Sequence, residues 1–280
     1  VTASELRDVL ATYRSKAVGK YRAACPYCDK PKDTALRVRV ERDHVHGHCY
    51  RCDAWAIYRD EPRDVGHRPQ PTRATAPAEH RTLSEYGREL WRQAQPLAGD
   101  ALAYLEARAC VIPPADGALR WRPTLRHAPT GYEGPALVAL VTDAITGKPL
   151  TLHRTWIRAD GTKATEPARL LLKGHRKAGG VIRLWPDDAV THGLAIAEGI
   201  ETALSVAHAF QPAWAAIDAG NLGELPLLSG IDALTIMADA DPAGTKAAEH
   251  CARRWADAGR EVRLAIPASG DANDVVRAAA

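Results

Sequence analysis

The sequence predicts an α/β protein: a C-terminal parallel sheet, preceded by a basic α+β region and a cysteine-rich N-terminal module. Three observations lead there. Short apolar runs at 194–197, 233–238 and 262–266 each stop near a carboxylate and are followed by helix-type sequence. Strands alternating with helices in this way imply parallel βαβ units. Cys25-Pro-Tyr-Cys28 and Cys49-Tyr-Arg-Cys52 form two C-x2-C pairs separated by 20 residues. The net charge of +3 also hides a division, because residues 189–280 carry 6 Lys/Arg against 12 Asp/Glu while the remainder carries an excess of +9.

In chain order, residues 1–60 predict a zinc-ribbon domain. Thr2-x-x-Glu5 is a capping-box pattern, and Leu6, Val9 and Leu10 give the helix after it an apolar face. Leu36, Val38 and Val40 alternate with Arg37, Arg39 and Glu41 as in a half-buried strand, and the chain turns near Asp43. Four cysteines at this spacing suit one structural Zn2+ held by Cys25, Cys28, Cys49 and Cys52. His48 abuts Cys49 and is an alternative ligand; His44, His46 and His48 otherwise read as exposed hairpin residues. The module also offers Arg37, Arg39, Tyr50, Arg51 and Trp55 to a nucleic-acid strand by ionic contact and stacking. Cys110 and Cys251 read as ordinary core thiols.

Residues 61–81 turn to Pro, Arg, Ala, Thr and Gln without apolar periodicity, and predict a linker. Residues 82–188 predict the basic α+β subdomain. Helical patterns cover 83–95 and 100–108, the second capped by Asp100, and strand-like runs at 136–142 and 150–157 are joined by a hairpin. Between Arg120 and Arg183 there are 12 basic residues and 4 acidic ones. Alternation separates His153 and Thr155 from Arg154, which is expected to be partly sheltered and paired. The glycine-bearing loop from Arg169 to Gly180 brings Lys173, Arg176 and Lys177 where cationic heads and backbone N–H groups can approach phosphate.

Residues 189–280 form the acidic end. Glu198 stands where the first run stops and Gly199 lets the chain turn there. Asp239 and Asp241 close the second run; Asp271 and Asp274 lie beyond the third. The carboxyl ends of parallel strands form the ligand crevice of such sheets, so the three clusters are predicted to meet at one edge. Carboxylates this close repel unless a cation sits among them, and Mg2+ or Mn2+ with oxygen ligands answers that. Asp241 before Pro242 is equally a good helix N-cap. Asp218 reads as a turn residue, and Lys246 as a solvated lysine within reach of a phosphate.

Glu198-Gly-Ile-Glu201-Thr202-Ala203, Asp239-Ala-Asp241-Pro-Ala-Gly244 and Asp271-Ala-Asn-Asp274 resemble, in order and spacing, the three signatures of the Toprim domain. That fold is shared by bacterial-type primases, type IA and II topoisomerases and small nucleases. The wording of the first signature resembles phage- and plasmid-borne primases most. The resemblance implies metal ligation or acid–base work for Glu198, Asp239, Asp241 and Asp271. It implies a nucleotide- or primer–template-holding role for Arg154, Arg169, Lys173, Arg176 and Lys177. It also implies template recognition by the zinc module, and related zinc modules include a histidine ligand.

The expected activity is therefore a DNA primase making short RNA primers on single-stranded DNA from NTPs, in phage, plasmid or mobile-element replication. The alternatives are a Toprim-type nuclease and a non-catalytic zinc-containing ssDNA-binding accessory. No G-x-x-x-x-G-K-[ST] is present, so a separate replicative helicase is the expected partner. With no transmembrane-length apolar run and no leader in Val1-Thr-Ala-Ser-Glu, a cytoplasmic location is expected.

Overall fold

The computed structural model describes residues 4–28, 34–49, 52, 54–58 and 82–279. The linker reading of 61–81, the Thr2 cap, and Tyr50 and Arg51 lie outside the described residues. The chain divides into two compact units, Val1–Ala74 and Thr75–Ala280.

In the first unit, helix α1 (Ser4–Ala11) is followed by β1 (Gly19–Ala23), β2 (Leu36–Val40), β3 (Val45–Cys49) and β4 (Trp55–Tyr58). The four strands form one antiparallel sheet in sequence order. The alternation in β2 behaves as its sequence demands: Leu36, Val38 and Val40 are buried, while Arg37 and Arg39 are exposed. Leu6 and Leu10 of α1 complete the core with Val45 and Ala56. A Cβ at Gly47 would stand 2.7 Å from Leu10 Cδ2, so this glycine lets the helix lie close against β3.

The second unit begins with α2 (Glu85–Gln93) and α3 (Asp100–Ala107). Ser84 caps α2, its side chain accepting from the Gly87 N–H. Asp100 does not cap α3 as the sequence suggested: Gly99, at a φ of 52°, is the cap, and Asp100 is the first helical residue. Its charge still favours that end through the helix dipole.

Strands β5 (Leu119–Arg126), β6 (Glu133–Asp143), β7 (Pro149–Trp156) and β8 (Arg169–Leu171) follow as an antiparallel sheet in that order, with β9 (Gly180–Val181) pairing β6. The hairpin at 143–147 is present, with Gly147 at a φ of 69°. After a short 3-10 turn (Asp187–Ala189) come β10 (Gly193–Ala197), α4 (Ile200–Val206), β11 (Ala213–Ala215), α5 (Ala219–Gly223), β12 (Ala233–Met237), α6 (Pro242–Asp257), β13 (Glu261–Ala265) and α7 (Ala272–Ala279). The four strands form a parallel sheet, ordered β11-β10-β12-β13. β10 and β11 are buried almost throughout, as their continuous apolar runs require. β13 is the half-exposed edge.

The two sheets of this unit share a core. Tyr104 and Leu105 of α3 and Leu137, Ala139 and Val141 of β6 belong to one buried cluster with Ala195, Ala197, Ile200 and Leu204. Backbone bonds stitch the same seam: Ile182 and Ala215 exchange both N–H···O=C bonds, and the Val111 N–H donates to the Leu204 carbonyl. Gly117 marks how tight the packing is, because a Cβ there would run into the Leu184 backbone carbonyl. Gly117→Ala is therefore expected to cost roughly 2 kcal/mol by overpacking, lowering Tm by about 5 °C in a unit of this size. Thermal unfolding checks it, and an unchanged Tm would contradict the close approach.

Candidate metal centres and active site

The four cysteines converge. Their sulfurs all lie within 4.8 Å of one another, with Cys25–Cys52 at 3.6 Å and Cys28–Cys49 at 3.7 Å. Sulfurs placed ~2.3 Å from a central Zn2+ in a tetrahedron are about 3.8 Å apart, so the set fits the ion. All four are free thiols, at separations far beyond a disulfide. Desolvation and the neighbouring thiols push Cys28 up to about 12; a cation among the sulfurs reverses that balance. His48 is not in this group: β3 alternates, placing Cys49 with the buried set and His46 and His48 on the other face.

The second gathering is the acidic edge. Register places Ala197, Met237 and Ala265 in one row at the ends of β10, β12 and β13, and Glu198 follows the first of them directly. Asp239 comes two residues after Met237. Asp241 caps α6, its Oδ1 accepting from the Gly244 N–H at 2.7 Å with Pro242 in the first turn. Asp271 and Asp274 each accept from the other's backbone N–H at the start of α7. The Ala240 N–H donates to the Gly270 carbonyl at 2.8 Å and ties the second acidic loop to the third. Gly199 takes an extended φ of −107° with room for a Cβ, so the turn after Glu198 does not depend on glycine's freedom, contrary to expectation.

The field at this edge is unbalanced. Glu198 is raised above the ordinary carboxylate range by burial and then by Asp239, Asp241 and Asp218, with the Ala219 N–H opposing. Asp239 is raised by burial, Asp271 and Asp241, with Arg169 and the Thr202 hydroxyl opposing. Asp239 Oδ1 is buried and has no hydrogen-bond partner. An orphaned carboxylate oxygen among three further acids fits a hard divalent cation. The acids are less closed than the thiols: among the described residues, only the cysteines bring three or more ligand atoms within 4.8 Å.

Asp218 is the N-cap of α5, accepting from the Asn221 N–H at 2.9 Å, and also pairs with Lys177. Ile217 just before it adopts a φ of 79°. A β-branched residue rarely enters that region, and the strain is held where the chain delivers Asp218 and Ala219 toward Glu198.

The five basic residues singled out from sequence separate. Thr155 pairs with Arg169 and Arg154 with Leu170 across β7 and β8, so the pleat sends Arg154 and Arg169 to opposite faces. Arg154 donates to the Leu171 carbonyl at 2.9 Å and lies 5.5 Å from the Trp156 ring, away from the acids. It is sheltered as expected, but its partner is a carbonyl. Arg169 lies on the face toward α4, its Nη2 3.0 Å from Glu201 Oε2. Arg176 pairs with Asp143, and Lys173 is exposed.

Two functional candidates were missed from sequence. Glu201 is 3% exposed in a helix whose seven residues are all buried. A carboxylate without a solvent face must be paired, and that was the available signal. Asn273, fully buried, donates to the Ser205 hydroxyl and the Arg108 carbonyl, anchoring α7 and hence Asp271 to α4 and the end of α3.

A parallel α/β sheet with acids from three loops at its carboxyl edge places those acids in the crevice where such sheets bind ligands. Residues 193–280 match the Toprim domain, and residues 81–184 match a domain of unknown function, DUF7146. No curated protein matches significantly. Among solved structures, a DNA primase domain from Pseudomonas aeruginosa is similar at 15% identity over 70% of this chain and 74% of that one, with a TM-score of 0.45. The Aquifex aeolicus primase (zinc binding and RNA polymerase domains) is similar at 16% identity over 99% and 82%, with a TM-score of 0.45. The primase fragment of the bacteriophage T7 primase-helicase protein is similar at 16% over 91% and 92%, with a TM-score of 0.40. Among the described residues, no helix is long and apolar enough to cross a membrane.

Proposed function

We propose that the chain is a DNA primase, joining NTPs into short RNA primers on single-stranded DNA, and that Glu198, Asp239, Asp241 and Asp271 hold its catalytic Mg2+ or Mn2+. The supporting observation is the orphaned Asp239 oxygen, set among further acids of a Toprim domain whose field Arg169 enters from the basic sheet. Bound there, such ions favour the attacking 3′ alkoxide and neutralise the charge that develops at the α-phosphate. The chain's own residues do the rest. Glu198, at the end of β10 among these acids, is placed to take or relay the proton of the 3′-OH. Arg169 and the exposed Lys173 supply cations for the triphosphate or the primer–template, and Arg176 and Lys177 anchor the loop after β8 through ion pairs to Asp143 and Asp218 respectively. Arg154, on the far sheet face, is not carried into this role.

The zinc module supplies a template surface. Arg22, Arg37, His48 and Trp55 fall in one cross-strand row on the sheet face opposite the core, with Trp55 71% exposed. Cations beside an aromatic ring suit backbone contact and base stacking. Trp55→Ala is expected to weaken ssDNA binding by about tenfold, on ~1–3 kcal/mol per stacked base. Fluorescence anisotropy with a labelled oligonucleotide measures this, and unchanged affinity would remove Trp55 from the surface. The remaining proposed partner is a replicative helicase, acting in phage, plasmid or mobile-element replication.

The direct test supplies mixed-sequence ssDNA, labelled NTPs and Mg2+ or Mn2+. Short template-dependent RNA products, lost in Asp239→Ala, are expected. Template degradation lost in the same variant would instead make the protein a nuclease, and binding without either product would make it an accessory.

A further inference from the structure

Glu201 is a buried carboxylate in a helix with no exposed face, yet it faces two cations. Its Oε1 accepts from the Tyr104 hydroxyl at 2.8 Å and lies 3.6 Å from Lys163 Nζ; its Oε2 accepts from Arg169 Nη2 at 3.0 Å. The three partners come from α3, from the stretch after β7 and from β8, so one side chain of α4 holds three separate pieces of the basic subdomain. The local sum is one negative charge against two positive ones.

Arg169 is the partner that looks outward. Its side chain is 44% exposed, against 29% for Lys163. Asp239 and Asp271 lie within its electrostatic reach. A guanidinium has five N–H donors in a rigid fork. The Glu201 contact engages Nη2, leaving donors for a second anion at the acidic edge.

We propose that Glu201 is a positioning residue: it holds Arg169 so that the remaining donors of the guanidinium take terminal phosphate oxygens of a nucleoside triphosphate bound beside Asp239 and Asp271. This rests on the nucleotidyl-transfer reading above. Glu201 touches no substrate and acts through Arg169. Glu201 alone does not neutralise both Lys163 and Arg169, and the part-buried bond fixes the fork beforehand, so less entropy is lost when phosphate arrives. His153, on the same sheet face as Arg169, is buried with an unpartnered Nδ1. Burial and the nearby cations hold it down to about 4, so at neutral pH it adds no positive charge.

A merely structural clamp and a positioning residue differ in what they change. The test uses the full chain and its Glu201→Gln, Arg169→Ala and doubly substituted forms, with fold checked by circular dichroism. Affinity for Mg-ATP and Mg-GTP is measured by calorimetry, and KM and kcat by primer synthesis. Glu201→Gln is expected to weaken NTP binding about tenfold, the scale of one charge-assisted hydrogen bond, and to raise KM with kcat within about twofold. Arg169→Ala should lose at least as much, and the double variant should be no weaker than Arg169→Ala alone. Should Glu201→Gln not fold, Glu201→Asp keeps the buried charge, draws it back from Arg169, and carries the same expectation. A folded Glu201 variant with wild-type NTP affinity, or additive losses in the double variant, overturns the inference and leaves the primase reading standing. A wild-type chain that neither binds NTP nor makes primers removes both.

Discussion

Asp239→Asn is expected to abolish primer synthesis, by about a thousandfold or more, while leaving the protein at least as stable as the parent. The first half follows from the several kcal/mol that bound metal supplies to charge stabilisation at about 1.4 kcal/mol per tenfold in rate. The second half follows from the sign of the shift. Asp239 is raised above its ordinary value by burial and by Asp271 and Asp241, so its ionised form is the unfavourable one in the folded, metal-free protein. Stability tied to such a group is full below the ordinary carboxylate value and is lost as pH rises through the raised one. An isosteric neutral amide removes that repulsion at neutral pH. Primer synthesis and thermal melts with and without Mg2+ read both halves. The parent should gain Tm on adding Mg2+ and the variant should gain less; full activity in the variant would remove Asp239 from the site.

The second large effect is at the cysteines. Cys25→Ser or Cys49→Ser should release the zinc, about one ion per chain for a tetrahedral site, and unfold the N-terminal unit. The described core of that unit is small, resting on residues such as Leu6, Leu10, Leu36, Val38 and Val45. A structural zinc contributes an apparent ~10 kcal/mol or more to folding, beyond what such a core replaces. Cys25 and Cys49 are buried, so each serine also leaves a hydroxyl in an apolar setting; Cys52 is exposed, and its replacement should be milder. Metal analysis and Trp55 fluorescence report the outcome. Retained zinc in Cys25→Ser would point to a different ligand set.

What could be read from the sequence depended on whether the cause was local. The alternation of Leu36, Val38 and Val40, the apolar run of β10 and the Asp241–Pro242 cap are properties of adjacent residues, and each is where it was expected. Glu198, Asp239 and Asp271 reach one edge because parallel topology carries strand ends together. Strand β5 escaped notice because Pro123 interrupts its pattern, and the register shifts between Arg122 and Leu125. Alternation alone separates Arg154 from Thr155, but which face meets the acids is set by β8, whose pairing lies some 15 residues away along the chain. Glu201 was visible as a letter in a motif; its three partners come from elements that only the folded chain brings together. The Lys177–Asp218 pair likewise spans 41 positions.

The seam between the two sheets bears on how such a protein can change over generations. The matched regions end at 184 and resume at 193, as though two cassettes had been placed end to end. The buried cluster ignores that border, and Ile182 is already bonded to Ala215 on the other side of it. Swapping either half for a relative's would have to carry over Tyr104 and Arg169 with Glu201 in a single step. Lineages of this chain are therefore expected to trade the two halves as one heritable block, with substitutions at the seam arising in matched pairs.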